Sequence, residues 1–160
     1  MEEEDRGHQG ESRKRAGLNM LPEHAILLPP TALALLTGIV WLRLGADRIG
    51  ELRARRIHPQ KIATSRQMAE TMQDVRSADN FRNLFEVPVL FYALCGYLAI
   101  AQLTNAILLA CAWGYVFLRG YHSYIHLTHN KVVRRFQAHV ASTIVLYVMW
   151  GIFAVQIVMR

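Results

Sequence analysis

The sequence predicts an all-α membrane protein: a bundle of four transmembrane helices, preceded by a charged tail. The 160 residues are 52% hydrophobic and only 19% charged, which is a high apolar content for a soluble chain of this length. The charges concentrate in the first 24 residues, in residues 47–82 and in residues 119–135. The apolar blocks between them approach the roughly 20 helical residues that cross a hydrocarbon core of about 30 Å.

The four apolar blocks differ in how clearly each predicts a span. The first contains Pro29 and Pro30 close to its start, where a missing backbone N–H costs a helix least. The second is interrupted by Glu86 and Pro88, and the third is short unless its helix continues into a polar segment. The fourth carries no charge before its end. The spans are expected at residues 25–44, 84–101, 106–130 and 140–159.

The tail in front of the first span has a different composition. Residues 1–24 mix acids, bases and glycine without an apolar period, a pattern typical of segments that cannot bury a core. We therefore expect a disordered tail, followed by one membrane domain over residues 25–160.

The distribution of lysine and arginine predicts the orientation. Residues 48–76 contain seven of them and residues 119–135 contain four, whereas the opposite side of the membrane would hold five. Because cytoplasmic loops carry the excess of basic residues, segments 45–82 and 119–139 are expected in the cytoplasm and both termini outside it. The net charge of +6 then reflects topology and contact with anionic lipids. It does not indicate a nucleic-acid partner, because no basic stripe with interleaved aromatic residues stands clear of a span.

Three polar side chains open the second span. Helical spacing places Asn83 and Glu86 one turn apart on the same face, with Arg82 four residues before the glutamate. A charged group at membrane depth costs a few kcal/mol, so we expect Glu86 to face the bundle and to pair with an arginine. The cluster is compatible with an ion pair that holds helices together and also with a ligand site.

A second group of polar residues follows the third apolar block. At 100° per residue its members fall within about 100° of one another, so they form one stripe on a helix. The stripe is expected to face a ligand cavity, a metal ion or the headgroup region of the bilayer. Its members are Arg119, His122, His126, His129 and Asn130.

On these residues the chain resembles the family of membrane-associated proteins in eicosanoid and glutathione metabolism (MAPEG), over roughly residues 26–158. That family includes microsomal glutathione transferases and the prostaglandin E and leukotriene synthases. The start of the second span, NFRNLFEVPVLF, is similar to the family's Asn-x-x-Glu followed by proline. Arg119, His122 and His126, with an arginine nine residues later, are similar to the family's third helix and its connection to the fourth.

The resemblance implies a homotrimer of four-helix protomers that binds glutathione between neighbouring protomers near the cytoplasmic face. It also implies that an arginine favours the thiolate of glutathione by charge and hydrogen bonding, with Arg135 as the candidate. The thiolate would attack a lipophilic electrophile, or reduce a lipid hydroperoxide, that arrives through the bilayer. The other residues that would line the site are Arg82, Asn83, Glu86, Arg119, His122 and His126.

The chain differs from the family pattern at three positions. Asp79 stands where the enzymes have an arginine that contacts glutathione, and His126 and His139 stand where they have tyrosines. These differences leave open a noncatalytic membrane protein that binds another anion or lipid. A third hypothesis is a metal site on His122, His126 and His129, whose spacing suits a transition metal but which has no acidic residue among them for support.

Overall fold

The regular structure in the computed structural model is entirely helical across residues 23–159, which are the residues that it describes. The predicted disordered tail lies outside the described residues, apart from its last two. The chain first makes a 3-10 turn, Glu23–Leu27, and another 3-10 turn follows the first helix at Pro59–Ile62. The helices are α1 (Leu28–Ala54), α2 (Ser65–Thr71), α3 (Arg76–Asn83), α4 (Pro88–Ile100), α5 (Ala106–Leu127) and α6 (Val132–Val158).

Three helical segments within the described residues are long and apolar enough to cross a membrane: His24–Ala54, Arg76–Ile100 and Val132–Val158. Helix α5 is not among them, although its 22 residues make it roughly 33 Å long. Its second half carries Arg119, His122 and His126, which lower its mean hydropathy. The apolar pattern alone therefore establishes three candidate spans, and the fourth predicted span is the polar central helix of the bundle.

Helix α1 continues past residue 44, the predicted end of the first span, to Ala54. Nothing in this stretch breaks a helix before Pro59. Arg43 also donates to the carboxylate of Asp47 over 2.9 Å, four residues later on the same face. The first part of the predicted cytoplasmic loop is therefore an extension of the helix.

The segment after α1 folds back onto this extension. The Glu51 carboxylate accepts hydrogen bonds from the backbone N–H of Gln73 (2.7 Å) and of Asp74 (3.3 Å). Arg55 donates both to Glu51 (2.6 Å) and to the backbone carbonyl of Thr71 (2.7 Å). One carboxylate thus fastens the residues between α2 and α3 to the end of α1.

Replacing Glu51 by alanine should release this segment. Charge-assisted hydrogen bonds are stronger than neutral ones, so we expect the amides of Gln73 and Asp74 to exchange hydrogen severalfold faster in Glu51→Ala than in the wild type. The matched control is Glu70→Ala, since Glu70 also pairs with an arginine four residues away, but both side chains are exposed, at 63% and 89%. Such a pair contributes little, so equal exchange in the two variants would contradict the role given to Glu51.

A second contact ties this region to α5. Arg76 lies 2.6 Å from the Asp74 carboxylate, and its hydrogen bond lowers the pKa of Asp74 to about 2. The same guanidinium donates to the backbone carbonyl of Thr128 over 3.3 Å. The start of α3 is therefore held close to the end of α5.

The second predicted span, residues 84–101, begins with a turn and becomes helical only at Pro88. Helix α3 ends at Asn83 and α4 begins at Pro88, because proline has no N–H to donate and its ring clashes with the carbonyl four residues earlier, that of Leu84. Residues 84–87 form turns between the two helices. The prediction that Asn83 and Glu86 share one helix face is therefore wrong.

Helix α5 lies at the centre of the bundle and packs most extensively against α6, and also against α1 and α3. Its apolar half joins the core that α1, α4 and α6 contribute to. The rings of Tyr115 and Phe91 stack there, with centroids 4.3 Å apart. One turn after Tyr115 the buried residue is Arg119, so the apolar core gives way to a polar one at this level.

The connection between the last two helices is shorter than predicted. Helix α5 ends at Leu127 and α6 begins at Val132, eight residues before the predicted start of the fourth span. Arg135 and His139 therefore lie on a helix, and the predicted loop 119–139 is a helical hairpin. Asn130 makes its turn with a φ of 45°, a conformation that asparagine adopts more readily than most residues.

Candidate functional site

Arg119 is the largest fully buried side chain in the described part of the chain, with 1% of its surface exposed. Its Nη2 donates to the backbone carbonyl of Asn83 over 2.9 Å, and its Nη1 lies 3.1 Å from Nδ1 of His139. The Asn83 carbonyl is at the end of α3, where helix carbonyls lack partners and carry partial negative charge. One guanidinium thus joins α5 to the end of α3 and to α6.

This buried charge is not neutralised by an acid. None of the ion pairs formed within residues 23–159 includes Arg119 or Arg135. The two arginines give this region an excess of positive charge. Because burying a charge without a counter-ion costs free energy, the region favours the binding of an anion.

Two histidines lie one turn apart on α5 beside Arg119, with ring centroids 5.8 Å apart. Nδ1 of His122 is 3.0 Å from the backbone carbonyl of Arg135, so this nitrogen carries the proton and donates it. Nε2 of His126 is 3.3 Å from Nη1 of Arg135 and must accept, because arginine only donates. The remaining nitrogens, Nε2 of His122 and Nδ1 of His126, are buried without a partner among the described residues.

The side chain of Arg135 is held at the start of α6. Its Nη1 donates to the side-chain oxygen of Asn130 over 2.7 Å, as well as to His126. The turn between α5 and α6 therefore supplies one of the two groups that orient this arginine. Unlike Arg119, Arg135 is only partly buried.

An open cleft of about 320 Å³ lies at this end of the bundle. Its wall combines charged and polar groups with two exposed apolar side chains, Val132 and Phe136. Its lining residues are Asn83, Glu86, His122, Val132, Arg135, Phe136 and His139.

The structure brings most of the predicted site residues together at this cleft. Asn83, Glu86, His122 and Arg135 line it, while the remaining two helix α5 residues, Arg119 and His126, are hydrogen bonded to its lining. The exception is Arg82. It is exposed and lines a second cavity of about 350 Å³ formed by α1, α2 and α3, together with Asp79. The negative charge of Asp79, which stands where the family has an arginine, therefore lies in the second cavity and not in the cleft of the same protomer.

The environment of Glu86 differs from the prediction. Its side chain is exposed and forms no ion pair within the described part of the chain, whereas we expected it to face the bundle with an arginine partner. The cause is the turn at residues 84–87, which removes Glu86 from the helix whose inner face the prediction assumed. Its carboxylate is left available to a ligand in the cleft.

The predicted stripe stops short of His129. Helix α5 ends at Leu127, and His129 is exposed with its ring 6.0 Å from that of Tyr124. Throughout residues 23–159, no three or more histidine, cysteine or acidic side chains are grouped so that they could hold a metal ion. The hypothesis of a metal site on three stripe histidines is therefore not supported.

Two contributors to the site were not predicted from the sequence. Asn80 is fully buried, and its side-chain oxygen accepts from the Ser123 hydroxyl over 3.1 Å, which joins α3 to α5 just behind the cleft. Asn80 precedes Asn83 by three residues and therefore lies on the same helix face. This spacing could have indicated from the sequence that Asn80 contributes to the site. His139, which we noted only as a difference from a family pattern, lines the cleft.

Comparison with known proteins gives one informative result. The model of the MAPEG family matches residues 26–155, nearly the whole chain. No curated protein and no solved structure is detectably similar to the chain. The matched range includes every residue that lines the cleft.

Proposed function

Because the chain belongs to the MAPEG family, we propose that it binds glutathione in the cleft and activates the thiol for reaction with lipophilic electrophiles or lipid hydroperoxides. The chain is an integral membrane protein of that family, with three apolar helical segments long enough to span a bilayer within the described residues. The observation that carries the proposal is the buried, unneutralised guanidinium of Arg119 beside a cleft lined by a second arginine.

The charges around the cleft suit glutathione. The ligand has two carboxylates, one ammonium group and a thiol. Arg135 on the wall and Arg119 behind it favour negative groups, and charge-assisted hydrogen bonds from arginine to carboxylate are among the stronger polar contacts. The carboxylate of Glu86, which is exposed and forms no ion pair within residues 23–159, suits the ammonium group.

In the proposed reaction Arg135 favours the thiolate, because a nearby positive charge and a donated hydrogen bond both stabilise the charged form of a thiol. The thiolate is the reactive nucleophile. With an electrophilic carbon it forms a C–S bond while the bond from that carbon to a leaving group breaks and the leaving group departs as an anion. With a lipid hydroperoxide it attacks one peroxide oxygen, the O–O bond breaks, the lipid leaves as an alcohol after taking a proton from solvent, and a second glutathione reduces the resulting sulfenic acid to the disulfide and water. Val132 and Phe136, exposed on the same wall, suit the apolar part of a substrate that arrives through the bilayer.

We further propose that α5 is the fourth membrane-spanning helix and that three copies assemble. The polar side chains of α5 are buried within the bundle, so the helix need not expose them to lipid. The cleft opens at the protomer surface, and a neighbouring copy placed over it would put glutathione between protomers. The basic segments would then face the cytoplasm, with both termini on the other side.

Glutathione binding to the detergent-purified protein tests the proposal. We expect saturable binding in a calorimeter, accompanied by the ultraviolet absorbance of a thiolate. Ophthalmic acid, which has a methyl group in place of the thiol, is the matched ligand and should bind without that absorbance. If neither ligand binds, the proposed function is wrong.

A second candidate function is noncatalytic binding of another anion or of a lipid. It is favoured by His126, which replaces a family tyrosine and is buried against Arg135, outside the lining of the cleft. This function predicts that organic anions bind while glutathione gives neither a thiolate nor a conjugate. Measurable conjugation would exclude it.

A further inference from the structure

We propose that His139 is a further catalytic residue, which donates a hydrogen bond from its Nε2–H to the glutathione sulfur in a tautomer fixed by the buried Arg119. The inference rests on the proposed function and assigns a group within that same site. It concerns a residue at which this chain has a histidine in place of a family tyrosine.

The tautomer follows from the contact with Arg119. A guanidinium has five N–H donors and no acceptor, and Nη1 of Arg119 lies 3.1 Å from Nδ1 of His139. Nδ1 must therefore accept, and in the neutral ring the proton resides on Nε2. Because Arg119 is buried and held at its other nitrogen by the Asn83 carbonyl, this assignment does not depend on a mobile side chain.

The position of the ring suits a donor to the ligand. His139 lines the cleft and follows Arg135 by four residues on α6, so the two side chains are neighbours on one helix face. In the proposal the glutathione sulfur lies in the cleft between these two side chains, both of which line it. The charged or titratable groups around the ring are Arg119, Arg135, Glu86 and His122, whose ring centroid is 5.7 Å away.

The backbone under the ring is also fixed. The hydroxyls of Ser142 and Thr143 both donate to the His139 carbonyl, over 2.8 and 2.9 Å. Each of these bonds joins a hydroxyl to a carbonyl three or four residues earlier in the same helix. The imidazole itself is oriented from α5, through the contact of its Nδ1 with Arg119.

In the proposed step the S–H bond of glutathione breaks and its proton passes to solvent. The imidazole keeps its Nε2 proton and shares it with the resulting thiolate, so no electron is transferred and no second reactant is needed. The positive charge of Arg119 at Nδ1 polarises the ring, and linked hydrogen bonds strengthen one another in this way. Arg119 acts through the histidine without touching the ligand.

The test compares His139→Phe, which keeps a ring but removes both hydrogen bonds, with His139→Gln, which can accept from Arg119 and donate to the ligand. The fraction of bound glutathione present as thiolate is followed by absorbance across pH. We expect about tenfold less thiolate at a given pH below the midpoint in His139→Phe, and recovery of most of it in His139→Gln. S-methylglutathione, which has no thiol proton, reports any loss of affinity that does not involve the thiolate, and in His139→Phe its affinity should fall by much less than the thiolate fraction does.

Other results would overturn the inference. A wild-type thiolate fraction in His139→Phe would do so, and equal losses of S-methylglutathione affinity and thiolate would assign the residue a structural role. If the wild type binds S-methylglutathione but forms no thiolate, the inference fails while ligand binding stands. If it binds neither ligand, the proposed function fails and the inference with it.

Nitrogen NMR of the labelled wild-type protein keeps the test independent of how well the variants fold. It should show the proton of His139 on Nε2 before glutathione is added and a shift of that N–H signal afterwards. A proton on Nδ1 contradicts the assigned tautomer directly.

Discussion

Arg119→Ala should lower the free energy of unfolding of the bundle by about 2–5 kcal/mol, the range seen when a large buried side chain is truncated. Truncation leaves a cavity between three helices and removes the donors to the Asn83 carbonyl and to His139. An acceptor left buried without a partner costs about 1–3 kcal/mol. Removing a buried charge stabilises the fold and so offsets part of this loss. The lost packing and the lost hydrogen bonds both destabilise the fold.

Thermal unfolding in detergent, followed by tryptophan fluorescence, measures this effect. Arg82→Ala is the matched control, because Arg82 belongs to the adjacent helix α3 but is exposed and forms no ion pair within residues 23–159. Surface substitutions of this kind change stability by no more than about 0.5 kcal/mol. Indistinguishable melting curves for the two variants would show that Arg119 does not join the helices as described.

Arg135→Met should reduce glutathione-dependent turnover by about 100-fold or more while the protein remains folded. Removal of a single donor that stabilises a developing negative charge has effects of roughly this size in other enzymes. Arg135 is only partly buried, and water can replace its bond to the half-buried Asn130 side chain. Its removal also takes the partner of Nε2 from the buried His126, which should cost about 1–3 kcal/mol of stability. A loss of activity that exceeds this destabilisation, measured on folded protein, is therefore the expected result.

The rate of conjugation to a chlorodinitrobenzene and the thiolate absorbance measure this prediction. Arg134→Met is the matched control: the adjacent residue has the same charge on the same helix, but it is exposed and lies outside the lining of the cleft. Arg135→Lys should be intermediate, since lysine keeps the charge but not the planar fork of donors. If the two methionine variants turn over equally, Arg135 does not activate the thiol.

Much of the bundle could be predicted because segments that cross a membrane are apolar, and the hydropathy of the sequence shows where they lie. The helix limits could not, because a helix ends where its hydrogen bonding is interrupted and not where the bilayer ends. Helix α1 therefore continues beyond residue 44 to Ala54, and α6 begins at Val132, well before its apolar part. Pro88 was seen to interrupt the second apolar block, but the prediction for Glu86 still assumed an unbroken helix.

The site could be predicted where its residues share one unbroken helix. The period of α5 correctly placed Arg119, His122 and His126 on one buried face. The same reasoning failed across the break before Pro88: Glu86 lines the cleft but is exposed and forms no ion pair within residues 23–159. Arg82 lines the second cavity instead of the cleft. His139 depends on a contact between helices, which no periodicity within one segment records.

The helix break between Asn83 and Pro88 also determines how deep the bundle can sit in the bilayer. Leu84 and Phe85 donate their backbone N–H groups to carbonyls of α3, but a turn makes fewer internal hydrogen bonds than a helix. Its remaining backbone groups need water or protein partners, so lipid cannot surround them. The exposed carboxylate of Glu86 in the same turn has the same requirement. We therefore expect this level of the protein at the boundary between hydrocarbon and headgroups. In the proposed function the cleft would lie at that boundary, where a water-soluble tripeptide and a substrate dissolved in lipid could reach the same wall from opposite phases.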